Sequence, residues 1–431
     1  MKLRTLVAAA VLALVGGLAL VGRPLTTEAQ MKLQFYYPVG VAGPLARIID
    51  GYVREWNQSH PQIQVEPVFA GGYTEAYSKT LAAIRGGTPP DVAIMLSQNL
   101  NDILAQDIVI PLDELIAADA AQVNMNDFFP AFMLNSTQGG KVWSIPFQRS
   151  TPVMYYNKDA FKEAGLDPDK PPQTQAELVV AAKKLTKQEG GRVTRWGLLI
   201  PSSGGVDTWL LEGLVIEAGG VLYDLNNSCC KVLLSSPATE AAVQFLRDLG
   251  AKEKVSPEGP INWGTTANDF VAGNAAMMYY TTGGLAFVRN NAKFEFGTAF
   301  LPKGQRFGTP TGGGNFYLFK ATPPDRRKAA WEFTKWMTST EMLARWSIDS
   351  GYVAPRKSSW DTARMKEYTA KYPQALTARE QLPFALAELP VKNIIEVKRA
   401  IVTALQTALT TSQPVGPILA EGQKRVDDIL K

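Results

Sequence analysis

Ser144-Ile145-Pro146-Phe147-Gln148-Arg149-Ser150-Thr151-Pro152-Val153-Met154-Tyr155-Tyr156-Asn157-Lys158-Asp159 is the stretch that decides the architecture of this chain. Pro146 and Pro152 bound its first part, and proline fixes φ while pushing the residue before it towards extended backbone. The segment therefore reads as extended. Val153-Met154-Tyr155-Tyr156 continues it as an apolar strand, and Asn157-Lys158-Asp159 opens a new helix. A long extended run of this kind reads as the chain crossing from one lobe into another.

Upstream lie three strand-helix units. Leu33-Gln34-Phe35-Tyr36-Tyr37 reads as a buried strand, and Leu45, Ile48, Ile49, Tyr52, Val53 and Trp56 then form one apolar helix face. A second strand runs over 63–69, followed by a helix over 73–84. Gly86-Gly87-Thr88-Pro89-Pro90 ends that helix, and residues 91–96 are a third strand. Downstream, a strand is expected over 196–200, with helices over 209–218 and 237–249. The extended run 275–280, closed by Thr281-Thr282-Gly283-Gly284, reads as the return crossing. A strand at 294–300, a Gly312-Gly313-Gly314 turn before a strand at 315–320, a helix over 325–346 and a helical tail complete the chain. Alternating strands and helices imply α/β lobes. Two such discontinuous lobes facing each other enclose a central cleft, because ligands of open α/β sheets collect at strand carboxyl ends. The expected division is 1–29 as leader, 30–148 with 282–325 as the N-terminal lobe, and 149–281 with 326–431 as the C-terminal lobe.

Composition narrows the chemistry. Across 431 residues, 44 basic and 40 acidic side chains leave a formal charge of +4, too small an excess for a nucleic-acid surface. There is one histidine, His60, so multi-histidine metal sites are excluded. Its turn-like context, Asn57-Gln58-Ser59-His60-Pro61, suits a solvated loop better than a catalytic triad. No metal or cofactor is expected. Residues 1–29 read as a cleaved secretory signal, with Lys2 and Arg4 before an apolar run over 5–21 and a small-residue site at Ala29. Export, into a periplasm, follows from that reading. The two cysteines, Cys229 and Cys230, are adjacent. They form either a strained vicinal disulfide or a reduced pair, and reduced is the default expectation.

At the crossing the chain resembles a known family. Phe147-x-x-Ser150-Thr151-Pro152-Val153-x-Tyr155-Tyr156-Asn157-Lys158-Asp159-Ala160-Phe161-Lys162-x-Ala164-Gly165-Leu166-Asp167-Pro168 is similar to the extracellular solute-binding proteins, family 1, of ABC importers, within them the glycerol-3-phosphate-binding group. Phe270-x-x-Gly273-Asn274-Ala275-Ala276-Met277 and Ser350-Gly351-Tyr352-Val353-Ala354-Pro355 support the resemblance. It implies a bilobed periplasmic-binding-protein fold that closes on a small hydrophilic solute and delivers it to membrane permease subunits. It further implies no catalysis and a monomer.

The resemblance also implies binding residues. Tyr73, after Gly71-Gly72, matches a ligand-contacting tyrosine, although a tyrosine opening a helix can equally pack as a staple. Ser97 falls where the group has an acid, and that loss tells against an identical ligand. Ser150 matches a binding serine, and Thr281 matches another while keeping the hydroxyl. Arg149 departs from the group, and a guanidinium fork suits phosphate or carboxylate as well as an inter-lobe salt bridge. Gly313 matches a glycine whose amide approaches the ligand. Tyr352 is fixed in register by Ser-Gly-Tyr-Val. Trp209 lies where related proteins stack an aromatic, or serves the core. Lys398, with Arg399 beside it, lies near the position of a C-terminal phosphate-gripping arginine.

Two rivals are weighed against this reading. An exported carbohydrate-active hydrolase needs paired carboxylates about 5 to 9.5 Å apart. Of the segments expected at the cleft, only Asp349 beside Tyr352 supplies an acid. A surface adhesion protein predicts no small-molecule stabilisation. Hydroxyl, amide and aromatic residues suit a sugar or polyol, and Arg149 tilts the expectation towards a glycerol-phosphate-like solute.

Overall fold

Two patterns of apolar residues, alternating in strands and helically spaced between them, build two separate sheets. The structure, a computed structural model, describes residues 30–205, 207–226 and 230–431. The expected signal segment and Cys229 lie outside the described residues. Cys230 is disulfide-bonded, against the reduced default.

The first sheet begins with β1 (Met31–Tyr37), β2 (Ile63–Phe69) and β3 (Val92–Leu96), β1 pairing in parallel with both others. The helix α1 (Leu45–Ser59) turns Leu45, Ile49, Tyr52, Val53 and Trp56 inward at helical spacing. At its end His60 stacks on Trp56, with ring centroids 3.5 Å apart, and serves as a helix terminus. The helix α2 (Tyr73–Arg85) precedes β3. The crossing stretch supplies β4 (Ile145–Ser150) to this sheet and, after Thr151, β5 (Pro152–Asn157) to the other.

In the second sheet β5 is central. β6 (Met277–Thr281) and β7 (Phe296–Ala299) flank it, both antiparallel. The expected strand at 196–200 is reduced to two bridges, Trp196 with Ala275 and Leu199 with Met278. The reason is local: the amides of Gly197 and Leu198 both donate to the carbonyl of Val255 instead of a strand partner. Residues 207–217 form α3 (Asp207–Glu217), and α4 (Pro237–Ala251) packs on it.

The chain then re-enters the first sheet as β8 (Gly312–Leu318), antiparallel to both β3 and β4. Three expectations are corrected here. The crossing does not begin at Arg149, because Arg149 and Ser150 still pair with Gly313 and Gly312 of β8. The return does not fall at 281/282, because β6 and β7 both pair with β5; the chain returns between Ala299 and Gly312. Gly312–Gly314 is not a turn before a strand but its first three residues. Gly313 has φ +95°, and a Cβ there would lie 1.6 Å from the Gln148 carbonyl oxygen, so only glycine fits.

The expected helix over 325–346 is two helices, Pro324–Met337 and Thr340–Ser350, and the side chain of Ser339 caps the second. The first packs against β1 and β8, bringing Phe333 onto Phe35 and Phe316. Residues from 326 onward therefore do not all join the second lobe. In the tail, Ala385–Leu386 pairs in parallel with Thr309–Pro310, tying it to the return crossing. The helices Ile394–Thr410 and Val415–Leu430 pack on each other and on α4. No helix among the described residues is long and apolar enough to cross a membrane.

Candidate functional site

Between the two sheets lies a cleft lined by residues of both. Tyr73, Ser150, Trp209, Thr281, Gly313, Tyr352 and Lys398 all line it. Tyr73 is the first residue of α2, and its hydroxyl donates to Gln148 Oε1 at 3.0 Å and lies 3.2 Å from the Tyr352 hydroxyl. Gly351, in the left-handed conformation at the end of its helix, turns Tyr352 out of the helical path into this contact. Burial holds the Tyr352 phenol up at about 12 and raises that of Tyr73, so both are neutral donors at ordinary pH.

The opposite wall is also aromatic. Trp209 on α3 donates from Nε1 to the Thr311 carbonyl at 2.9 Å. Trp263 opens the helix Trp263–Val271, stacks on Tyr280 with centroids 3.9 Å apart, and meets Trp209 edge-on at 6.4 Å. Its Nε1 donates across the cleft to the Gly40 carbonyl at 3.2 Å. Flat aromatic faces on two sides cover the apolar face of a ring or carbon chain, and their polar tips leave hydrogen-bonding positions between them. Thr281 accepts from the Gly283 amide at 3.1 Å.

Arg149 and Ser97 do not line the cleft. Successive residues of a strand point to opposite faces, so Ser150 and Arg149 cannot share one. Gln148 and Ser150 take the cleft side, and the Arg149 guanidinium turns inward. There it donates to the Gly313 carbonyl at 3.3 Å and Asn315 Oδ1 at 3.2 Å and lies over the Phe132 ring. Full burial lowers its pKa to about 10. Ser97 starts a short 3-10 turn and is also wholly buried, its hydroxyl unpartnered, while Leu96 lines the cleft in its place. Of Lys398 and Arg399, it is Lys398 that lines the cleft and reaches Gln98 Oε1 at 3.5 Å, whereas Arg399 faces solvent. Asp349 does not line the cleft; it accepts from the Tyr52 hydroxyl at 2.6 Å.

Sequence reasoning missed Trp263 and Glu388. Trp263 is one of nine tryptophans, with nothing local to distinguish it. Glu388 lies in the tail, two residues past the strand that pairs with the return crossing, and only that pairing brings it to the cleft. Asn135 grips its backbone from both sides, accepting from its amide at 3.1 Å and donating to its carbonyl at 3.0 Å. Neither oxygen of its carboxylate accepts a hydrogen bond from the protein, and Oε2 is buried. Burial pushes its pKa up to about 7, against the pull of Lys398 and Arg149. Behind it Glu212, also buried, is raised well above the usual range by burial and by Glu388 itself. No cluster suited to a metal ion is found among the described residues.

Comparison with known proteins identifies the family and the fold. The family described as bacterial extracellular solute-binding protein matches residues 51–374. The sn-glycerol-3-phosphate-binding periplasmic protein of Escherichia coli K12 is 25% identical over 442 residues, spanning 97% of this chain and 96% of that protein. The crystal structure of UgpB from Mycobacterium tuberculosis in complex with glycerophosphocholine superposes with a TM-score of 0.82 at 26% identity, covering 93% of this chain and 98% of that one. An ABC transporter solute-binding protein from Thermotoga lettingae, bound with α-D-tagatose, shares the fold at a TM-score of 0.80 and 20% identity, covering 93% and 100% of the two chains.

Proposed function

The chain belongs to the bacterial extracellular solute-binding proteins, and from that premise we propose how it acts as the solute-binding component of an ABC importer. It captures a glycerol-3-phosphate-like or carbohydrate solute in the cleft and hands it to the membrane permease. It is not an enzyme, and the paired-carboxylate hydrolase is set aside with the relatives' role in transport. Tyr73, Ser150, Trp209, Thr281, Gly313, Tyr352 and Lys398 contact the solute. The single observation that carries this reading is their convergence, from two sheets and the tail, on one aromatic-walled cleft.

Closure turns on the segments joining the sheets, Thr151 and residues 300–311, and higher solute affinity of the closed form drives it. The protein works as a monomer in the periplasm after residues 1–29 are removed, so the amino terminus of the exported form is Gln30. The test is a thermal-shift panel on solute-stripped protein with glycerol 3-phosphate, glycerophosphodiesters and neutral mono- and oligosaccharides. A solute at a hundred times its Kd adds about 2.7 kcal/mol of stability. A rise in Tm with at least one class is expected; none with any of them overturns the reading.

A further inference from the structure

The polar end of the cleft presents one cation and one carboxylate to an arriving solute. Lys398 and Glu388 line it, while Arg149 and Glu212 are buried outside the lining, and burial together with Glu388 keeps Glu212 protonated. Lys398 makes no direct ion pair with Glu388; its ammonium turns to Gln98. The Glu388 carboxylate is 3% exposed, free of protein hydrogen bonds, and anchored through its backbone by Asn135. A buried polar group left unsatisfied is costly. At a ligand cleft such a carboxylate is an acceptor waiting for donors.

We propose that Glu388 sets the charge class of the solute: the cleft takes a neutral polyhydroxylated molecule whose hydroxyls donate to the Glu388 carboxylate, and it excludes a phosphate. The inference rests on the solute-binding reading above and narrows it. A phosphate brought to Lys398 meets the Glu388 carboxylate in the same low-dielectric space, and like charges so placed repel strongly. A sugar or polyol brings O–H donors for the carboxylate and acceptors for the Lys398 ammonium, and its C–H faces lie on Trp209 and Trp263. The groups facing the Glu388 carboxylate, besides Lys398, Arg149 and Glu212, are the neutral phenols of Tyr73 and Tyr223. Of these groups only Lys398 lines the cleft as a cation.

Calorimetric titration of the solute-stripped protein at pH 8 tests this with glycerol 3-phosphate, choline and a set of neutral sugars and pentitols. Expected is binding of a neutral member with glycerol 3-phosphate weaker by about 100-fold or more. Glu388→Gln should weaken the neutral solute by about 10- to 100-fold, as for loss of a charge-assisted hydrogen bond, and should admit glycerol 3-phosphate. Glycerol 3-phosphate or choline binding the parent protein better than every neutral member overturns the inference while leaving the solute-binding reading intact. Unchanged neutral affinity in Glu388→Gln also overturns it. Binding of no member at all overturns the reading beneath it. The selectivity of the parent protein needs no variant, so a poorly folding Glu388→Gln does not blunt the test.

Discussion

Replacing Glu388 with glutamine should produce a stability gap between variant and parent that widens as pH rises. The carboxyl is 3% exposed, and burial lifts its pKa from 4.5 to about 7. A carboxyl whose folded pKa is raised holds its proton more tightly in the folded state. Its contribution to stability is thus complete below the unfolded value and lost as pH climbs through the folded one. At 1.36 kcal/mol per unit, the rise corresponds to about 3 kcal/mol, surrendered by the parent between roughly pH 4.5 and 8. Glutamine does not titrate and keeps that stability. Removing the Glu388 charge also eases ionisation of Glu212, which shifts the gap in the same direction. With about 2.1 cal/mol/K of unfolding entropy per residue, a chain of roughly 400 residues moves its Tm by about 1 °C per kcal/mol. Differential scanning fluorimetry of both proteins without solute should therefore show the gap widening by about 3–4 °C between pH 5 and pH 8.5. A gap that stays constant with pH refutes the argument, because a merely altered packing contact would not titrate.

Other expectations follow from the same geometry. Gly313→Ala should destabilise by at least ~3 kcal/mol in urea unfolding, since it combines a left-handed φ with a backbone clash. Ser150→Ala should weaken solute binding about 5-fold with little change in Tm, as loss of one hydrogen bond does. Arg149→Met should leave solute affinity within about 2-fold, because the guanidinium lies outside the cleft and bonds only Gly313 and Asn315; calorimetry on both variants separates the two positions. Trp263→Phe keeps an aromatic wall but loses the donor to Gly40, so affinity measured by titration should fall about 5-fold.

Much of this protein was legible along the chain. Strand and helix periods identified β1 to β3, α1 and the crossing stretch, because alternation and helical spacing are local properties of adjacent residues. Ser150, Thr281 and Tyr352 were readable for a related reason: each sits at a strand or helix end inside a distinctive motif. The period-2 rule was equally available for Arg149, yet which face of β4 meets the cleft depends on β8, a strand more than 160 residues away. The sequence by itself determined two α/β sheets joined by an extended crossing, a histidine count that rules out multi-histidine metal chemistry, and most of the cleft's hydroxyl and aromatic lining. Only the tertiary structure decided where the chain returns, that Arg149 is buried as support, and that Trp263 and Glu388 complete the cleft. Pairings over long sequence separations carry those decisions. The short parallel contact of Ala385–Leu386 with Thr309–Pro310 brings a tail carboxylate to the site, and no local pattern announces such a contact.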